Sequence, residues 1–217
     1  MLYGQPNLQA HEAIKTMGSN AALYLGKMMA NPNKINWVVF DFNYFEPLLQ
    51  AFQELGPNGK PAIPYLIKSL GRNCDYSERA LICIGPDNVP PLADKLLATL
   101  RDTKNPFYHG SIRMGVHKDS GFFIRDQILS VFDRMGTNAE AALPALAFAA
   151  STNLPVYHVW LNRQNLYTTL AIVGRNHPEV VVPTLLKKFA NSAEERGDIA
   201  KAIARWEPIK PKFSYRF

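Results

Sequence analysis

The sequence predicts an all-α protein built from stacked helical hairpins, and three observations lead to this prediction. Five glycines each follow an apolar residue and end a segment whose apolar residues recur at helical spacing. A second apolar stripe with helical spacing follows each glycine, and Asn or Asp always stands two residues after it. A single hairpin cannot bury its own stripe, so the copies are expected to stack on one another.

The clearest copy of this hairpin runs from residue 48 to residue 70. Leu48, Phe52 and Leu55 lie on one face of a first helix. Gly56 ends that helix, because glycine adopts a left-handed conformation without a Cβ penalty, and Asn58 could cap the second helix. The apolar stripe of the second helix is Ile63, Leu66, Ile67 and Leu70. The segment therefore predicts two amphipathic helices and a tight turn.

The remaining hairpins follow from aligning the other glycines with Gly56, namely Gly18, Gly85, Gly136 and Gly174. The residues four positions before the five glycines are Ile14, Phe52, Leu81, Phe132 and Leu170. The polar residues two positions after them are Asn20, Asn58, Asp87, Asn138 and Asn176. In the last hairpin the alignment predicts a second-helix stripe of Val182, Leu185, Leu186 and Phe189. Proline falls near the start of four second helices, where its missing N–H costs little: Pro64, Pro90, Pro144 and Pro183.

These columns predict one domain over residues 1–217. Its hairpins are expected at about 8–30, 44–71, 75–101, 121–150 and 161–190, followed by a cap helix at 192–206 and a tail at 207–217. Ser192 and Glu195 form a capping box at the start of the cap helix. Two hypotheses remain open for the tail, a loose chain end and a segment that covers the last hairpin.

Two stretches, LGPNGKPAIPYLIKSL and MGTNAEAALPALAFAA, resemble the bacterial HEAT repeat. The resemblance extends over roughly residues 8–206, with a long insertion between the third and fourth hairpins and no proline in the first. It implies a right-handed α-α superhelix, or solenoid, of about five HEAT-like hairpins plus a C-terminal capping helix. Such proteins usually bind other macromolecules, and the resemblance supplies no catalytic residues.

Composition limits the class of protein. The 217 residues are 47% hydrophobic and 19% charged, which is typical of a folded chain and not of a disordered one. The sequence has neither a signal-peptide pattern nor an apolar run of about 18 residues, so we expect a cytoplasmic protein without a membrane partner. The first repeat begins so close to Met1 that the natural start could lie upstream. Cys74 and Cys83 are both expected to be reduced, with Cys83 as a buried helical thiol.

Candidate partner-binding residues fall in the long connections between hairpins, at 30–44, 101–121 and 151–164. These are Trp37, Phe107, Tyr108, His109, Arg113, His117, Lys118, Tyr157, Trp160 and Arg163. If the glycine turns lie along one edge of the array, the connections gather these side chains along the other. They would then either form a recognition surface or pack inward between hairpins. The apolar first connection favours inward packing, the polar second connection favours binding, and the third is undecided.

No pattern for chemistry emerges from the sequence. His109, His117 and Asp119 match no helical ligand spacing, and no cysteine joins them. There is no G-x-S-x-G motif, and the loop GPNGKP is not preceded by the strand that a phosphate-binding loop requires. We therefore predict no catalytic residue, no metal and no cofactor.

Two hypotheses for function follow. The first is a non-catalytic scaffold that recognises a protein or peptide through the concave second-helix face and the inter-repeat loops. The alternative is a nucleic-acid-binding protein, including a DNA-repair glycosylase type of enzyme with Asp41 as its weak catalytic candidate. That alternative needs a continuous basic stripe on the second helices. The basic residues present are Lys60, Lys68, Lys95, Arg101, Lys187 and Lys188, interrupted by Asp94, Glu140 and Glu179. The scaffold hypothesis is favoured, and the oligomeric state stays open.

Overall fold

The computed structural model describes residues 8–30, 45–70, 76–101, 121–152, 159–189 and 193–205. This part of the chain contains eleven α-helices and no β-strand, which confirms the all-α prediction. The first helices of the hairpins and the terminal helix are α1 (Leu8–Met17), α3 (Phe45–Leu55), α5 (Tyr76–Ile84), α7 (Gly121–Met135), α9 (Val159–Val173) and α11 (Ala193–Arg205). The second helices are α2 (Ser19–Ala30), α4 (Ile63–Ser69), α6 (Val89–Arg101), α8 (Leu143–Ser151) and α10 (Pro178–Phe189).

The helices contact one another in two layers. Each odd-numbered helix contacts the next odd-numbered helix, from α1 to α11. Among the even-numbered helices, α2 contacts α4, α6 contacts α8, and α8 contacts α10. We call these sets the first-helix layer and the second-helix layer. Within the described residues, helices α4 and α6 lack a comparable contact, so the second series is interrupted once.

The core between the layers contains the residues that the alignment placed four positions before each glycine. Phe52, Leu81, Phe132 and Leu170 are fully buried, and Ile14 is half-buried. On the second helices, Ile63, Leu66 and Leu70 are buried as predicted, with Ile67 half-buried against them. The 3.6-residue period of the sequence therefore identified most of the core.

The predicted left-handed turn occurs after four of the five first helices. Gly18, Gly56, Gly85 and Gly136 have φ angles of 50°, 49°, 90° and 58°. Gly174 has no positive φ, so its alignment with Gly56 predicted the wrong conformation. A Cβ on Gly174 would lie 2.3 Å from Val181 Cγ2 and 2.9 Å from Leu143 Cδ1. Glycine is needed there because α8 and α10 approach the backbone too closely for a side chain.

The side-chain hydrogen bonds at the turns differ from those predicted. After Gly56 the chain forms a 3₁₀ segment, Gly56–Ala62, in which Asn58 is exposed, and no side-chain hydrogen bond caps α4. The predicted Asn58 cap is therefore wrong. In the third hairpin the buried Asn88 supports the turn, since its Nδ2 donates to the carbonyl oxygen of Leu81 at 2.6 Å.

The rotation of α10 about its own axis also differs from the prediction. The structure buries Val181, Leu185 and Lys188, whereas Leu186 and Phe189 are exposed. The predicted stripe of this helix was therefore displaced by about one residue, or roughly 100° around the axis. Pro183 lies inside α10 and not near its start, because the helix already begins at Pro178.

Polar side chains link successive helices of the first-helix layer. The ammonium of Lys15 lies 2.7 Å from Glu54 Oε2 between α1 and α3. Between α5 and α7, the buried Glu78 carboxylate accepts a hydrogen bond from the Ser130 hydroxyl, and Arg134 Nε lies 3.7 Å away. Further links join Arg79 to Glu46 at 3.5 Å, and Tyr167 to Glu195 at 3.5 Å.

Glu195 thus contacts α9 from the start of α11. Its predicted capping partner, Ser192, lies outside the described residues. The same holds for the tail at 207–217. The two hypotheses for the tail therefore stay open.

Candidate binding surface

Most of the residues that the sequence nominated for partner binding lie outside the described residues. These are Trp37, Phe107, Tyr108, His109, Arg113, His117, Lys118 and Tyr157. Trp160 and Arg163 belong to the backbone of α9, but the description does not extend to their side chains. Whether the connections form a recognition surface stays a prediction.

The described residues contain a different candidate, the outward side of the second-helix layer. On α2 the exposed positions Asn20, Tyr24 and Lys27 are four and three residues apart, opposite the buried Gly26 and Met29. The other second helices also expose residues at helical spacing. We define the second-helix face as Tyr24, Lys27, Pro64, Lys68, Pro90, Asp94, Lys95, Ala98, Pro144, Phe148, Pro183, Leu186, Lys187 and Phe189. Lys95 is half-buried, and the remaining members are exposed.

Large apolar side chains are concentrated on this face. Tyr24 on α2 is 65% exposed, Phe148 on α8 is 52% exposed, and Leu186 and Phe189 on α10 are 58% and 41% exposed. Three of these residues, Phe148, Leu186 and Phe189, lie on α8 and α10, which are in contact. Exposed apolar groups that cluster on adjacent elements mark interaction sites in soluble proteins. The sequence did not reveal this cluster, since the alignment counted Leu186 and Phe189 as core.

The positive charge on this face is less interrupted than the sequence indicated. Of the three acids that break up the basic residues in the sequence, only Asp94 belongs to the second-helix face. Glu140 and Glu179 both contact His177, near the glycine turns. Among the described residues, no carboxylate lies within 4.0 Å of the Lys68, Lys95 or Lys187 ammonium.

The basic residues also differ from the list that the sequence suggested. Lys60 contacts Asp87 at 2.9 Å in the turns, and buried Lys188 donates to the Thr152 carbonyl oxygen at 3.4 Å. Lys27 joins the face from α2, with its ammonium 6.0 Å from the centre of the Tyr65 ring. The face therefore carries one lysine on each of α2, α4, α6 and α10, and Phe148 on α8.

His177 forms a separate cluster near the turns of the last two hairpins. Its Nε2 lies 2.7 Å from Glu140 Oε1, and its Nδ1 lies 3.0 Å from Glu179 Oε1. Hydrogen bonds to Glu179 and to Glu140 raise the pKa of His177 above its ordinary value of 6.5. Its own backbone amide and the His177 ring lower the pKa of Glu179. Hydrogen bonds to the charged form of each group explain both directions, and the opposite charges add to them.

Three further titratable groups have perturbed pKa values that helix packing explains. Burial raises the pKa of Asp126, partly offset by a hydrogen bond with Asn165 on α9. Burial also raises the pKa of Asp133, against the opposing effect of Arg205. Cys83 is half-buried, slightly more open than expected, and burial raises the pKa of its thiol, which lowers its reactivity. All three lie on first helices and outside the second-helix face.

Among the residues that the structure describes, no group of three His, Cys, Asp or Glu side chains could hold a metal ion. Within the same residues, none of the helices is both long and apolar enough to cross a membrane. The chain matches no protein-family model, no curated protein and no solved structure in the comparisons with known proteins.

Proposed function

We propose that this protein is a non-catalytic binding scaffold, a right-handed superhelix of five HEAT-like hairpins closed by a terminal helix. It recognises a protein or peptide across the second-helix face, with the aromatic and basic connections at its border. The observation that supports this function best is the exposure of Phe148, Leu186 and Phe189 on two helices in contact.

Energetics favour a macromolecular partner for these side chains. Burying a fully exposed large apolar side chain contributes roughly 1.5–3 kcal/mol, so each of these half-exposed side chains contributes about half of that. Three of them together can form the centre of an interface. The face also rests on a packed layer, because the opposite sides of α8 and α10 bury Leu146 and Leu185 against the core. A supported surface loses little entropy on binding.

The same composition disfavours nucleic acid as the partner. Phosphate binding depends on clustered positive charge, and α8 contributes an exposed phenylalanine where its neighbours contribute lysine. A duplex along the face would leave Phe148 and Leu186 without apolar contact. Nucleic acid is therefore one of the outcomes that the experiment below distinguishes.

Site-specific photocrosslinking in the native host tests the proposal. A photoreactive phenylalanine analogue replaces Phe148 or Leu186 in the full chain, and the matched control carries it at Gln53, an exposed position of α3. We expect discrete crosslinked protein species from the two second-helix positions and none of these species from position 53. Identical species from all three positions, crosslinks to nucleic acid alone, or no species at positions 148 and 186 would contradict the proposal.

A further inference from the structure

The structure points to the chemistry of the partner, and this inference rests on the proposed function. We infer that the second-helix face binds an acidic segment in which carboxylates flank large apolar side chains. Complementary charge and the presence of lysines on the helices that carry or adjoin the exposed apolar residues lead to this inference.

Three lysines of the face form no ion pair within the described part of the chain. Lys68, Lys95 and Lys187 each lie on a different helix, with no described carboxylate within 4.0 Å, and Asp94 is the one acid among the residues that define the face. On the first-helix layer, by contrast, Lys15 contacts Glu54 and Arg79 contacts Glu46. Lysines left beside exposed apolar groups favour carboxylates from a partner.

The order of the helices gives the expected pattern of the partner. Helix α8, which carries Phe148, contacts α6 on one side and α10 on the other. Helix α6 carries Lys95, and α10 carries Lys187 beside the exposed Leu186. A segment that crosses these three helices meets a lysine on α6, an exposed phenylalanine on α8, and an exposed leucine next to a lysine on α10. Its complement is an acid, a large apolar residue and a second acid.

Charge also argues against two occupants that the chain itself could supply. A second copy that docks the same face in a symmetric dimer would bring lysines against lysines. The tail at 207–217 contains Lys210, Lys212 and Arg216 but one acid, Glu207, so its charge repels the face. An acidic partner meets both the charge and the apolar groups.

Selection from a display library of random 16-residue peptides tests the inference, with the immobilised full chain as bait. We expect the enriched peptides to be net negative and to carry at least two large apolar residues. Selected peptides are then titrated against two variants of equal charge change. Lys95→Glu with Lys187→Glu alters the face, and Arg196→Glu with Lys201→Glu alters exposed positions of α11. The first pair should raise the dissociation constant about tenfold, and the second less than twofold.

A third variant, Phe148→Ser with Leu186→Ser, separates the inference from the proposed function. Neutral or basic peptides whose binding falls with this variant would overturn the inference and leave the scaffold function standing. If no selected peptide depends on these two residues, both the inference and the proposed function fail. Dimerisation that this variant abolishes would assign the face to a second copy. The immobilised chain could also retain a 20-base-pair duplex. If only the Lys95 and Lys187 changes abolish that retention, the face binds nucleic acid.

Discussion

The two layers share the same helical spacing of apolar residues but differ in which side chains they bury and expose. In the first-helix layer, aromatic residues such as Phe52 and Phe132 are fully buried, and polar side chains link each helix to the next. In the second-helix layer, Phe148 and Leu186 are exposed, and no described carboxylate lies within 4.0 Å of the Lys95 or Lys187 ammonium. The first layer resembles a protein interior, whereas the second presents groups that a partner could bury.

The fourth hairpin contains one phenylalanine in the core and another on the exposed face. Phe132 on α7 is fully buried, and Phe148 on α8 is about half exposed. Replacing Phe132 by Ala should lower the free energy of unfolding by about 3–5 kcal/mol, because it removes buried area and leaves a cavity. Replacing Phe148 by Ala should change it by less than about 0.5 kcal/mol. Urea unfolding followed by circular dichroism measures both. A cost above about 2 kcal/mol for Phe148→Ala would show that this side chain supports the fold.

Two glycines give a second, smaller contrast in stability. An Ala side chain at Gly174 would meet Val181 Cγ2 at 2.3 Å, and this overpacking should cost about 1–3 kcal/mol. At Gly197, in the exposed part of α11, a Cβ meets nothing within 4 Å, so Ala should stabilise the helix by about 0.5–1 kcal/mol. Thermal unfolding of the two variants should therefore shift in opposite directions. A stable Gly174→Ala variant would mean that α10 sits farther from this turn.

The polar links within the first-helix layer should differ according to their burial. Glu78 is buried and accepts the hydrogen bond of Ser130, so Glu78→Ala should cost about 1–2 kcal/mol. Glu46 and Arg79 are both partly exposed, and Glu46→Ala should cost less than about 0.5 kcal/mol. The comparison is made by urea unfolding at pH 7. Equal costs for the two variants would mean that burial does not set the strength of these links.

Sequence predicted the rotation of α3 better than that of α10, for a physical reason. In α3 the apolar and polar residues lie on opposite sides, so its buried side is visible in the spacing. Helix α8 reads LPALAFAAS, which is so apolar that its composition alone does not show which residues are exposed. In α10, the run Val180–Val182 followed by Leu185 and Leu186 allows two rotations of the helix.

Contacts between residues that are far apart in the sequence determine which rotation forms. The spacing of apolar residues within one helix gives no information about those contacts. Lys188 donates to the carbonyl oxygen of Thr152, 36 positions earlier, which fits the observed rotation of α10. Gly174 is close to Leu143, which belongs to the preceding hairpin. The sequence could therefore predict that the second helices form the candidate site, but not which of their apolar residues are exposed there. Its apolar members depend on a rotation that the tertiary packing determines.

The smallest expected effect concerns His177, which links the last two hairpins and should make stability depend on pH. Contacts with Glu179 and Glu140 raise its folded pKa above the ordinary 6.5, so protonation stabilises the folded state. This contribution is fully present below about pH 6.5 and is lost as the pH rises through the raised value. On the acid side, the lowered pKa of Glu179 means that its contribution declines as the pH falls below about 4.5.

The melting temperature of His177→Ala relative to the parent chain tests this dependence. The variant should melt lower at pH 5.5, and the difference should shrink towards pH 8.5. Lys60→Ala is the matched control, because it breaks another turn contact, 2.9 Å from Asp87, in a pair without an imidazole. Its difference from the parent chain should stay constant between these two pH values. A His177→Ala difference that is equally constant would show that the ring acts through packing alone and not through its charge.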